Sequence, residues 1–213
     1  MRLERYGIQL ETLNHDHLEM VRLWRNQDFV RTNMQFKEIL SRADQERWFN
    51  SLDPDRNLYW VIRSDDYPIG LIHIKDIDLS LSKGEAGIFI GEPSYLEMPQ
   101  PMLARLLMME LAFSVLNLKI LLAKIKNGNT HAIVFNEQLG YQLIPDQPEG
   151  FQYYRVDSAR FDQMTHKLRI SSAKMFGGST VLFQPSNGKG LQLELVSRIV
   201  SSPGDWMIIG PSA

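Results

Sequence analysis

The sequence predicts an α/β protein whose mixed sheet is crossed by one buried helix, and three observations carry that prediction. Glu85–Gly91, Met102–Leu116 and Lys119–Lys126 follow one another as strand, apolar helix and strand, the order of a crossover unit. Leu58–Ser64 and Tyr67–Asp76 alternate apolar and polar residues on either side of Asp65-Asp66, the pattern of an antiparallel hairpin. With 44% apolar residues among 213, the chain can bury a full core, either as one domain or as one with a small appendage.

Taken in order, Ile8–Leu13 reads as a first strand. Asn14 or Asp16 then caps a helix that turns Leu18, Val21, Leu23 and Trp24 inward. Ser41-Arg42-Ala43-Asp44 opens a second helix with Trp48 and Leu52 as its buried side chains, and Asp53-Pro54 ends it. Glu92-Pro93-Ser94 closes the Glu85–Gly91 strand, because proline donates nothing to a ladder. Pro99 and Pro101 stand where a helix starts and a missing N–H is tolerated. From Met102 to Leu116 the chain is apolar on nearly every side, interrupted mainly by Arg105, Glu110 and Ser114. A helix apolar all round is a buried one, and this one is too short and too charged to span a bilayer. Asn127-Gly128-Asn129 turns the chain into a helix, Thr130–Leu139, that stops at Gly140.

Strand, loop, helix, strand, then Asn129, Ala132 and Leu139-Gly140-Tyr141 at this spacing resemble the core of the GNAT acyltransferases. Leu23-Trp24-Arg25-Asn26, Trp48-Phe49 and Ile69-Gly70 resemble the ribosomal-protein and nucleotide-sugar N-acetyltransferase branches. The resemblance covers roughly residues 5 to 165 and implies a sheet whose central strands splay apart at the end of Glu85–Gly91. It also implies that acetyl-CoA, as co-substrate, lays its pantothenate arm in that gap and bonds strand backbone at Ile88, Phe89, Ile90 and Gly91. Asn129 and Asn136 fall at further family contact positions, and the region from Asn26 to Leu40 would line the acceptor groove. The implied function is transfer of an acetyl group to a primary amine, such as an amino group on a nucleotide sugar. The contrasting reading is a catalytically inactive GNAT-shaped protein that has lost CoA and serves as a ligand-binding or scaffolding module.

That second reading comes from the loop before the buried helix. The family carries Arg or Gln and then glycines there, so that backbone N–H groups and the helix N-terminus meet a pyrophosphate. Here the matching residues are Leu96, Glu97, Met98, Pro99, Gln100 and Pro101. Two prolines remove two donors, worth about 3–6 kcal/mol if nothing replaces them, and Glu97 adds repulsion. The N–H groups of Met102 and Leu103, or the side chains of Arg105, Lys124 and Lys126, are the candidates to compensate.

Amine acylation needs a base for the ammonium proton, a donor for the thioester carbonyl and a proton for the leaving thiolate. Glu85, at the start of its strand, is the first candidate base, with Glu92 and His73 as further candidates. Apart from the resemblance, each is an ordinary strand residue. Backbone N–H of Gly91 or Ile90 is the expected carbonyl donor. Many family members carry tyrosine as the thiolate acid four residues after the alanine of the last helix; this chain has Asn136, which donates a hydrogen bond but no proton at neutral pH.

Composition narrows the alternatives. A net charge of −2 leaves no electrostatic footprint for nucleic acid or a membrane surface. The absence of cysteine excludes disulfides, zinc–thiolate sites and a cysteine nucleophile. His73-x-x-Asp76 and His15-x-His17 lack a third convergent ligand, so no metal site is expected. Met1–Gln9 is not a signal peptide, and a cytoplasmic protein is the expectation.

The organisation expected is a GNAT-like domain, residues 1–166, and a small β-rich C-terminal extension, residues 167–213. Phe151–Val156 reads as a strand and Ser158–Leu168 as a helix. Ser179–Gln184, Leu191–Val200 and Trp206–Gly210 read as strands separated by Pro185-Ser186-Asn187-Gly188 and Ser202-Pro203-Gly204-Asp205. Too small for its own core, the extension should pack on the body or form a homodimer contact with a second subunit.

Overall fold

A computed structural model describes residues 1–145, 150–177, 181–184, 189–201 and 206–208. The elements are β1 (Arg2–Arg5), β2 (Ile8–Thr12), α1 (Leu18–Asn26), α2 (Asp28–Arg31), α3 (Arg42–Asn50), β3 (Leu58–Ser64), β4 (Tyr67–Asp78) and β5 (Lys83–Ile90). They continue with α4 (Gln100–Glu110), β6 (Ile120–Lys126), α5 (Thr130–Gln138), β7 (Gln142–Leu143), β8 (Phe151–Asp157), α6 (Ser158–Met175), β9 (Val181–Gln184), α7 (Leu191–Ser201) and β10 (Trp206–Ile208). All ten strands join one mixed sheet in the order β10-β9-β1-β2-β3-β4-β5-β6-β8-β7. β5 and β6 run parallel, as the crossover requires, and so do β9 and β10.

Two apolar layers sandwich the sheet. On one side α4, continued by a π turn at Leu111–Val115, shares one core with Ala86, Ile90, Leu121, Ala123 and Ile125. On the other, Val21 and Trp24 of α1 meet Val61, Leu71 and Phe89 with Trp48 of α3. Ser41 caps α3 in a reciprocal capping box with Asp44. Leu23, read as inward-facing, is 53% exposed; the stripe runs instead through Leu18, Val21 and Trp24 at helical spacing.

The polar residues that interrupt α4 are not an exposed face. Glu110 is buried; it accepts from Tyr6 Oη (2.9 Å) and Arg5 Nη1 (2.9 Å) and faces Arg169 Nη1 at 3.6 Å. One carboxylate thus ties the β1–β2 hairpin to α4 and α6.

Leu191–Val200, expected as a strand, lies in helix α7. Leu191, Leu195 and Ile199 are buried at four-residue steps while Leu193 is 56% exposed. Alternating leucines at 191, 193 and 195 fit either period; the fate of Leu193 fits only the helix. α7 packs on the body of the molecule, where Arg198 Nη1 donates to the carbonyls of Val115 (3.3 Å) and Leu116 (3.2 Å). β9 pairs antiparallel with β1, and α6 runs unbroken through residue 166. The turns read at 185–188 and 202–205, with Ser179 and residues 209–210, lie outside the described residues. Among the described residues, no helix is long and apolar enough to cross a membrane.

Candidate active site

The sheet opens between β5 and β6. Their parallel ladder holds only Lys83 to Ile120, Gly84 to Leu121 and Glu85 to Leu122. Beyond Glu85, β5 stays on β4 while β6 stays on β8, up to Lys126 opposite Phe151. The strands therefore diverge into a wedge from Ala86 onward.

The register decides which β5 groups line it. Gly91 N–H donates to Ile69 O (2.9 Å). Bonded pairs alternate along an antiparallel ladder, so Phe89 and Gly87 turn their backbone groups toward β4 as well. Ala86, Ile88 and Ile90 turn theirs the other way, into the wedge. Of the backbone positions expected from the sequence, Ile88 and Ile90 thus present free strand edges. Phe89 and Gly91 do not, so the carbonyl donor assigned to Gly91 or Ile90 falls to Ile90.

Arg105 of α4 lies at the inner end of the wedge and is 1% exposed. Its Nη2 donates to Tyr141 Oη (3.0 Å) and approaches Ala86 O (3.4 Å) and Asn136 Oδ1 (3.4 Å). Nε and Nη1 are buried without a hydrogen-bond partner. The opposite side of Asn136 is also engaged, since Nδ2 donates to Ala132 O (2.8 Å). Asn136 is thereby held between Ala132 and Arg105. Asn129 Oδ1 accepts from Ala132 N–H (3.1 Å), which makes it the N-cap of α5.

Toward its outer end the wedge meets the start of α4. Leu103 N–H donates to Pro99 O (3.0 Å) and is spent inside the helix, so it does not serve as a phosphate donor. With Pro99 and Pro101 lacking N–H groups, the amides that helix geometry leaves unpaired are those of Gln100 and Met102. Lys124 and Lys126 of β6 do not turn toward α4. Lys124 Nζ donates to Gln35 Oε1 (2.9 Å) and Lys126 Nζ to Thr32 O (3.0 Å). Gln27 Nε2 meanwhile donates to Gly91 O (3.1 Å) at the tip of β5. The segment 27–35 is thus fastened to both arms of the wedge on the α1 side.

The three expected catalytic residues do not converge. Glu85 stands where the ladder ends and pairs with Lys75 Nζ at 3.0 Å. Glu92, past the tip of β5, accepts from Trp24 Nε1 (2.8 Å). His73 sits opposite Gly87, with its ring stacked on Tyr59 at 4.7 Å. Burial, reinforced by the charges of Lys75 and Arg105, pushes His73 down to about 3. An imidazole that weakly basic stays neutral near pH 7 and is a poor acceptor for an ammonium proton. Among the described residues no group of three acidic, histidine or cysteine side chains converges on a metal position.

The sequence matches the acetyltransferase (GNAT) domain family over residues 8–142. The chain belongs to the GNAT acetyltransferases. No curated protein matches it. Solved structures share its fold at low identity. Spermidine N-acetyltransferase from Vibrio cholerae, in complex with CoA and spermine, is 15% identical with a TM-score of 0.65, covering 74% of this chain and 99% of that one. An aminoglycoside acetyltransferase in complex with coenzyme A is 14% identical with a TM-score of 0.63, covering 73% and 98%. A domain from Methanocaldococcus jannaschii is 21% identical with a TM-score of 0.63, covering 70% and 97%.

Arg105, expected from sequence as a replacement for the lost pyrophosphate donors, lies instead at the inner end of the wedge against Ala86 O. Its signal was present, as a lone arginine inside an otherwise apolar helix, but periodicity does not say which polar residue is buried.

Proposed function

We propose that this GNAT domain transfers an acetyl group from acetyl-CoA to a primary amine on a small molecule. The observation that carries the reading is the wedge itself, with the β5 edge groups of Ile88 and Ile90 facing an opening that no strand among the described residues fills. An extended amide-bearing chain can bond such an edge as an added strand does. The orphaned N–H groups of Arg105 at its inner end fit the oxygen- and sulfur-rich arm of acyl-CoA. Gln100 and Met102 N–H, at the outer end, are the backbone donors available to its diphosphate. Acyl-CoA supplies an activated acyl carbon; the chain supplies orientation, a carbonyl donor at Ile90 N–H and a base.

Glu85 is the base this reading favours, since Glu92 is held by Trp24 and His73 is too weakly basic. Lys75 Nζ lies 3.0 Å from the Glu85 carboxylate and fixes its direction. By analogy with the spermidine N-acetyltransferase and the aminoglycoside acetyltransferase that share the fold, the acceptor is a polyamine or an aminoglycoside; an amino sugar on a nucleotide is a further candidate. The competing reading, a GNAT fold kept as a binding module, is favoured by Pro99, Pro101 and Glu97.

The test is CoA thiol release from acetyl-CoA over a panel of polyamines, aminoglycosides and amino-sugar nucleotides. Amine-dependent release that falls about 100-fold or more in Glu85→Gln, with CoA affinity unchanged, supports the assignment. CoA binding without release on any amine supports the binding module instead.

A further inference from the structure

A buried guanidinium without a carboxylate is an expensive thing to keep, and Arg105 is one. Among the described residues no acidic side chain lies within ion-pair distance of it. Its neighbours are neutral: Ala86 O, Asn136 Oδ1 and Tyr141 Oη take Nη2, and the Tyr141 ring stands 5.4 Å from Cζ. The titratable groups whose electrostatics couple to it are His73 and Tyr141. Burial keeps the first neutral by lowering it and the second by raising it, so neither balances the charge. Taking a charge out of water costs several kcal/mol that only a counter-charge repays well, so a cation whose neighbours are neutral is poised for an anion that arrives.

We propose that Arg105 is a catalytic residue that stabilises the thiolate released from the acyl donor, in the place of a side-chain acid. This rests on the acyl-CoA reading above. In the transfer, the amine nitrogen bonds the acyl carbon, the C–S bond breaks and its electron pair stays on sulfur. The amine gives up its proton to the base, and that proton finally reaches the sulfur. Arg105 gives up no proton, since guanidinium stays charged throughout; it supplies positive charge where the negative charge develops. Asn136 and Tyr141 are positioning residues. They hold Nη2 and leave Nε and Nη1 uncommitted, and Asn136 is itself held by Ala132 O.

The experiment reads the sulfur and not turnover. CoA bound to the full-length protein is titrated from pH 5 to 10 by the ultraviolet absorbance of its thiolate, in wild type, Arg105→Lys and Arg105→Gln. The expected result is a bound thiol that ionises about one pH unit or more below free CoA, a shift largely kept by Lys and lost by Gln. A bound thiol that titrates like free CoA in wild type overturns the role of Arg105 while leaving the donor reading in place. Failure of CoA to bind wild type at all overturns both. Should the variants not fold, wild type alone decides. CoA should gain affinity over desulfo-CoA as pH rises through the bound thiol's transition, and a constant ratio contradicts the proposal. A preference for an acyl group ending in a carboxylate, with the thiol titration unmoved, would overturn it in favour of a ground-state anion site.

Discussion

The indole of Trp24 rests on the bare α-carbon of Gly91 while its Nε1 donates to Glu92 Oε1 at 2.8 Å. A Cβ at residue 91 would come within 2.1 Å of Trp24 Cγ, inside the ring itself. The contact joins α1 to the tip of β5 and so fixes one lip of the wedge.

Gly91→Ala should therefore displace Trp24 and break its bond to Glu92, destabilising the fold by about 1–3 kcal/mol. A lower urea midpoint with an unchanged slope is the expected signature. An unchanged midpoint would mean that α1 yields without cost.

His73 should make stability depend on pH. Its folded value, about 3, lies below the ordinary 6.5, so between these values the unfolded chain holds the extra proton. Stability then falls as pH drops below about 6.5, by at most about 1.4 kcal/mol per pH unit from this one group. His73→Gln removes that contribution and should flatten the acid limb measured by denaturant titration at pH 7, 6, 5 and 4. Parallel limbs for the two proteins would contradict the burial of the imidazole.

Glu110 anchors three elements with one carboxylate. Glu110→Ala leaves Arg5 without its partner and Tyr6 Oη without its acceptor, and should cost about 3–5 kcal/mol. Loss of amide protection in β1 and β2 ahead of β3 and β4, read by hydrogen exchange, is the local result expected. Uniform loss across the sheet would contradict the anchoring role.

Leu195 is wholly buried on α7, so Leu195→Ala should cost about 2–5 kcal/mol in a single transition of the whole chain. A separate early transition with the main one unmoved would show the C-terminal segment to be independent. Sedimentation of the full chain asks separately whether it carries a subunit contact, the homodimer role we propose for testing beside it; a monomer at micromolar concentration dismisses that role.

The crossover unit, the Asp65-Asp66 turn and the Asn129 cap were legible because each is written in local chemistry. Both turn aspartates take left-handed φ (47° and 62°), and Asn129 bonds the amide three residues on. Strand β1 was missed because four residues, three of them charged, carry no alternation that rises above a loop. α7 was misread because leucines two apart also lie four apart, and only tertiary packing chooses between the periods. Strand order was enough to name Ile88 to Gly91 as the edge of the wedge, but the choice of Ile88 and Ile90 among them needs the β4–β5 register. The engagement of Gly91 by Ile69, of Glu92 by Trp24 and of Arg105 by Tyr141 each joins distant parts of the chain, where one sequence holds no local trace.

The central claim is that the wedge beyond Glu85 receives acyl-CoA despite the prolines at 99 and 101. Thermal unfolding of the full chain against rising acetyl-CoA tests it most directly. Stabilisation that grows with ligand, reaching about 2.7 kcal/mol at a hundred times Kd, is the predicted result. An unfolding curve unmoved by millimolar acetyl-CoA and CoA would contradict it.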